Sequence, residues 1–115
     1  MKKLLTSEEI ITQSEGLQLY KKLVLQLNTD FNRANVDALF IKDISPSELK
    51  LKLSDVIHNL LLNNYPEYLN LLYIVDVSEE KIKNIEANST QEISEQITYL
   101  ILLREWQKVW FKSNY

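Results

Sequence analysis

A single glycine and two prolines in 115 residues leave the chain almost nowhere to turn a tight hairpin or to break a helix. That scarcity argues against a many-stranded fold and for helices joined by short links. Cysteine is absent altogether, which excludes disulfides, thiolate metal ligands and a thiol nucleophile, and accords with a reducing compartment, so a cytoplasmic location is expected. Only one histidine is present. A zinc site needs several His, Cys or carboxylate ligands, so no metal or cofactor is expected. Gly16 alone cannot build a phosphate-cradling loop.

Long apolar runs are missing too. The longest, Leu71 to Val75 and Tyr99 to Leu103, fall far short of the roughly 20 residues that span a bilayer, so no membrane crossing is expected. The opening Met1-Lys2-Lys3-Leu4-Leu5 begins like a signal peptide, but its apolar part stops at Thr6 and Glu8-Glu9 follow, so no export signal is read there. A net charge of -3 supplies no field to attract nucleic acid or an anionic membrane.

What the chain does contain is 45% hydrophobic and 25% charged residues, a balance that suits one globular core and predicts a single helical domain over 1–115. Thr6 followed by Glu9 fits a capping box, which predicts a short helix over Ser7–Gln13, with Gly16 separating it from the next. Leu17, Tyr20, Val24, Leu27 and Phe31 recur at steps of three and four and predict a helix over Glu15–Arg33. Ala34 to Ile44 lose that period and read as a connector with buried anchors.

Ser45-Pro46-Ser47-Glu48 is the clearest helix start, with a capping hydroxyl, a proline at the first helical position and an acid to reach back. The face Leu49, Leu53, Val56, Ile57, Leu60, Leu61 continues it to about Tyr65, where Pro66 ends it and opens another helix through Leu69, Leu72 and Tyr73. Asp76 or Ser78 caps a short helix through Ile82 and Ile85. Asn88-Ser89-Thr90-Gln91-Glu92 caps a last long helix over Thr90–Lys112. The expected fold is an all-α compact bundle of five or six helices, three of them long.

Two of these helices have more apolar surface than one core face needs. At about 100° per residue, Leu51, His58 and Leu62 gather opposite the main stripe of the Pro46 helix. On the last helix Ile93, Ile97 and Ile101 line one side while Leu102, Leu103, Trp106, Val109 and Trp110 line another, leaving only a polar strip at Arg104, Glu105 and Lys108. Such a helix must be buried on several sides. Either it stands at the centre of the bundle, the reading favoured here, or another chain covers part of it around Trp106 and Trp110. Leu51, His58, Leu62, Trp106 and Trp110 are therefore the candidate partner interface.

Catalytic chemistry has little to start from. His58, with Asp55 one turn away, has the elements of an oriented general base, but a lone helical histidine is far more often a packing or surface residue. Glu8-Glu9 and Glu79-Glu80 fall in first helical turns, where the dipole favours acids. Arg104, Lys108 and Lys112 interleave with Trp106, Trp110, Phe111 and Tyr115 in a mix that can stack on single-stranded nucleic acid, yet their spacing is that of a helix face and the charge is small. The short Asp76–Ala87 helix outlines a helix-turn-helix, but its acids oppose phosphates.

The run Tyr68-Leu69-Asn70-Leu71-Leu72-Tyr73-Ile74-Val75-Asp76-Val77-Ser78-Glu79, with Asp30-Phe31 and the Ser45-Pro46 helix start, resembles one found in short bacterial all-helical proteins, over about Leu17 to Glu105. That group has no assigned activity, so the resemblance implies a bacterial cytosolic helical protein and no site residues. The expected function is a non-enzymatic protein-protein interaction or self-associating module, with a homodimer as one form. The alternatives are an immunity-like inhibitor of a basic toxin or nuclease, using Glu67, Tyr68 and Tyr73, and a small-molecule-binding bundle with a cavity around His58 and Tyr73.

Overall fold

Residues 4–115 are described by a computed structural model; the basic opening Met1-Lys2-Lys3 lies outside the described residues. Six helices follow one another: α1 Ser7–Gly16, α2 Tyr20–Arg33, α3 Pro46–Asn63, α4 Tyr65–Val75, α5 Glu79–Lys83 and α6 Thr90–Asn114. No strand occurs among the described residues, and the architecture is the all-α bundle that the spacing predicts.

The helix starts follow their capping residues. The Thr6 hydroxyl accepts the Glu9 N–H at 3.1 Å and opens α1. At α3 the Ser45 hydroxyl accepts the Glu48 N–H and donates back to the Glu48 carboxylate at 2.9 Å, closing the box on Pro46. Asn64 ends α3 and caps α4 at once, accepting the Glu67 N–H at 3.3 Å. Ser78, rather than Asp76, caps α5, and Ser89 caps α6 while Glu92 accepts the Asn88 N–H at 2.9 Å.

The turns differ from expectation because the one glycine of the chain stands inside α1 and not in a turn. Gly16 does not separate two helices; it is the last residue of α1, and the reversal falls on Gln18, at φ 59°, which delays α2 to Tyr20. Asn35 takes φ 60° after α2, and Asp76 takes φ 71° after α4. Left-handed backbone costs an ordinary residue on the order of 1 kcal/mol, and Asn and Asp tolerate it better than most.

Helix α6 stands at the centre, packed against α1, α2, α3 and α4. Ile97, Leu100, Ile101, Leu102, Trp106 and Val109 are all buried, which explains why it is apolar nearly all round. The connector 34–44 lies across the outside without regular structure, and its buried anchors are Ala34, Val36, Phe40 and Ile44. Side chains from the helices satisfy its backbone. Asn28 donates to the Phe40 carbonyl at 2.8 Å and accepts the Phe40 N–H at 2.9 Å. The Tyr20 hydroxyl donates to the Ile44 carbonyl at 2.6 Å, and Asn70 donates to the Ala34 carbonyl at 3.2 Å. Phe40 meets Phe31 edge to face, ring centroids 5.3 Å apart.

One side chain thus replaces a strand partner for Phe40. Asn28→Ala leaves a partly buried N–H and C=O without partners, and the expected loss is about 1–3 kcal/mol in urea unfolding. Asn28→Asp keeps the acceptor for the Phe40 N–H and loses the donor.

Candidate functional site

The most unusual chemistry in the molecule lies between α2 and α6. Asp30 and Glu105 are both fully buried. Asp30 projects from the core face of α2 beside Leu27 and Phe31, and Glu105 and Lys108 follow one another at one helical turn on α6. The Lys108 ammonium donates to Asp30 Oδ2 at 2.7 Å and lies 3.1 Å from Glu105 Oε1. Gln26 donates to Asp30 Oδ2 at 3.2 Å, and Arg33 reaches Oδ1 at 3.5 Å from a largely exposed position.

Glu105 was expected on a solvent-facing strip with Arg104 and Lys108. It is instead in the interior, because the packing of α2 against α6 closes over that strip. Burial and the neighbouring Asp30 push its carboxyl up to about 9. Burial also works against the Asp30 carboxylate, but the hydrogen bonds from Glu105 and Lys108 outweigh it and hold Asp30 below its ordinary value. The cluster clasps α2 to α6.

The five residues expected to form one interface do not lie together. Leu51 and Leu62 are exposed, at 64% and 55%, on the outer face of α3. His58 stands between them with Nε2 3.0 Å from the Thr90 hydroxyl; Asp55 is not its partner. Trp106 is fully buried in the core, its Nε1 without a hydrogen-bond partner, and cannot serve as a surface contact. Its burial follows from the central place of α6. Trp110 is half-buried against the same core. Of Glu67, Tyr68 and Tyr73, the two tyrosines line one groove and Glu67 does not. Tyr68 is buried, its hydroxyl pushed up to about 12 by desolvation, and Glu67 hydrogen-bonds Asn64 at the start of α4. Tyr73 is 80% exposed. No group of metal-ligating side chains occurs among the described residues.

Tyr73 belongs to a feature that sequence reasoning missed. Tyr65, Leu69 and Tyr73 step by four along one flank of α4, exposed at 53%, 48% and 80%. They border a groove of about 550 Å³ between α4 and the segment leading through α5, with Tyr68, Leu72, Val77 and Ile82 inside it. Asp76, Glu79 and Lys83 supply its charges. The signal was present, since α4 is apolar on nearly every side, but the leucines and tyrosines of the outer flank read like those of the core. Behind the groove Arg104 fastens α4 to α6, donating to the Asp76 carbonyl and carboxylate, each at 3.2 Å. A second hollow, of about 470 Å³, lies between α5 and α6 and is lined by Leu5, Ile85, Tyr99 and Leu100 with Lys50 and Lys81. Lys50 is already paired with Glu8.

Comparison with protein-family models, with curated proteins and with solved structures returned no match. The chemistry of the surface therefore carries the functional argument.

The buried and exposed ion pairs separate in a stability measurement. Lys108→Met strands two buried carboxyls without their cation, and about 3–5 kcal/mol is expected to be lost in urea unfolding at neutral pH. Lys50→Met removes only the solvent-exposed bridge to Glu8 and is expected to cost less than about 1 kcal/mol.

Proposed function

We propose that this chain is a non-enzymatic protein-binding module that docks through the α4–α5 groove, with a second copy of the same chain as the occupant. The observation that carries the reading is the row Tyr65, Leu69 and Tyr73, three large side chains about half exposed or more along one helix flank, where a solvated flank would ordinarily carry charge. Aromatic side chains are enriched where interfaces gain their binding energy. Glu79 and Lys83, one turn apart and opposite in sign, border the same groove, so the patch can complement itself about a two-fold axis. The most strongly shifted carboxyl, Glu105, sits in the interior and does not line this groove, which favours binding over catalysis.

Charge favours a second reading. Over residues 65–83, Glu67, Asp76, Glu79 and Glu80 outnumber Lys81 and Lys83, so this face also suits a basic partner, as an inhibitor of a basic toxin or nuclease requires.

Light scattering over a concentration series tests the first reading. The wild type is expected to dimerise and Leu69→Glu with Tyr73→Glu to stay monomeric, with unfolding changed by no more than about 0.5 kcal/mol per site because both side chains face solvent. Trp106→Glu is expected to unfold the chain instead. A wild type that remains monomeric at millimolar concentration removes the second copy as occupant. Salt-sensitive binding to a cationic protein, lost in the double variant, would then favour the basic-partner reading.

A further inference from the structure

Two carboxyl groups with no exposure share a single ammonium, Lys108 Nζ lying 2.7 Å from Asp30 Oδ2 and 3.1 Å from Glu105 Oε1. If both were ionised, the interior would hold two negative charges against the one positive charge of Lys108, and the next cation, Arg33, is 63% exposed. Among the described residues no ion pair reaches either carboxyl from α1, α3 or α4. Glu105 also faces a problem of partners. Its Oε1 has only the Lys108 ammonium, at 3.1 Å and shared with Asp30, its Oε2 has no hydrogen-bond donor, and the group it meets, Asp30, is an acceptor when ionised. A proton on Glu105 resolves both difficulties. It gives Glu105 a hydrogen to donate to Asp30, and it reduces the cluster to one carboxylate matched by Lys108.

We propose that Asp30 and Glu105 form a buried one-proton site, occupied in the folded protein at neutral pH, whose emptying at alkaline pH loosens the C-terminal half of α6 from α2. The polar bonds between these helices converge on that site. Lys112 donates to Gln26 at 3.0 Å, Gln26 donates to Asp30 at 3.2 Å, and Lys108 joins Asp30 to Glu105. Losing the proton places a second negative charge at the point where the chain of bonds is anchored. Trp106, the neighbour of Glu105 in the core, reports on the change.

The direction of the pH dependence follows from proton counting. Glu105 keeps its proton up to about pH 9 in the folded state and releases it near the ordinary glutamate value of 4.5 in the unfolded state. Between those limits the folded protein binds one proton more than the unfolded chain, so stability falls as pH rises. Asp30 acts in the opposite sense, its contribution being lost as pH falls below the ordinary carboxylate value of 3.8. Tyr20 and Tyr68, pushed up to about 12, titrate outside the window.

The test is urea unfolding of the full chain from pH 6 to 9 for the wild type and for Glu105→Gln, whose amide donates to Asp30 without titrating. The wild-type unfolding constant is expected to rise by up to about tenfold per pH unit, with a change in tryptophan emission on the same midpoint, while Glu105→Gln loses both. Equal slopes in the two proteins, or a flat wild type, would overturn the proposal. Should Glu105→Gln fail to fold, carbon NMR of the wild type decides the matter: a Glu105 carboxyl titrating in step with the surface glutamates rejects it, and one that stays protonated through pH 7 supports it.

Discussion

A bundle of this size has room for one helix that touches all its long neighbours, and every other feature is arranged around α6 filling that place. Its sides meet α1, α2, α3 and α4, so nearly every face must be apolar. The exception is the turn containing Glu105 and Lys108, where polar atoms enter the interior and have to be matched from α2. Asp30 makes that match and converts an expense of burial into a bond specific to one pairing of helices. Leucine stripes can slide by a turn at small cost, whereas a buried ion pair out of register leaves charge without a partner.

The connections follow from the same economy. With one glycine, the reversals fall on Gln18, Asn35 and Asp76, and the last two are flanked by bonds from other helices. The Asp76 reversal is tied to α6 by Arg104. The connector after Asn35 is held by Asn28, Tyr20 and Asn70, so backbone that could have paired in a sheet is satisfied by side chains and remains a single strap over the core.

Surface and interior are thus divided in an informative way. The Asp30 and Glu105 carboxyls are enclosed, while the open faces carry large apolar side chains: Leu51 and Leu62 on α3, and Tyr65, Leu69 and Tyr73 on α4. Enclosed charge organises a fold, and exposed aromatic surface organises contact with something else. The α4–α5 groove has the added property that its far wall, α5, has no fully buried residue, so one side of it rests on a lightly anchored element.

Local patterns in the chain were sufficient to establish the helical class, the caps at Thr6, Ser45 and Ser89 and the connector with inward anchors, because each depends on residues within a turn or two of one another; the break expected at Tyr65 and Pro66 falls instead on Asn64, with Pro66 inside the first turn of α4. The central place of α6 could be read from its lack of a polar side. Which turn residue would adopt left-handed backbone, and on which side of α6 or α4 each large residue would fall, depended on contacts between residues distant in sequence. Trp106 and Tyr73 show the difference: both are aromatic residues on apolar helices, yet one is sealed in the core and the other stands in solvent. Glu105 shows it again, for a glutamate beside Arg104 looks like any surface acid until α2 brings Asp30 against it. Periodicity says that a helix has faces; only packing decides which face meets water.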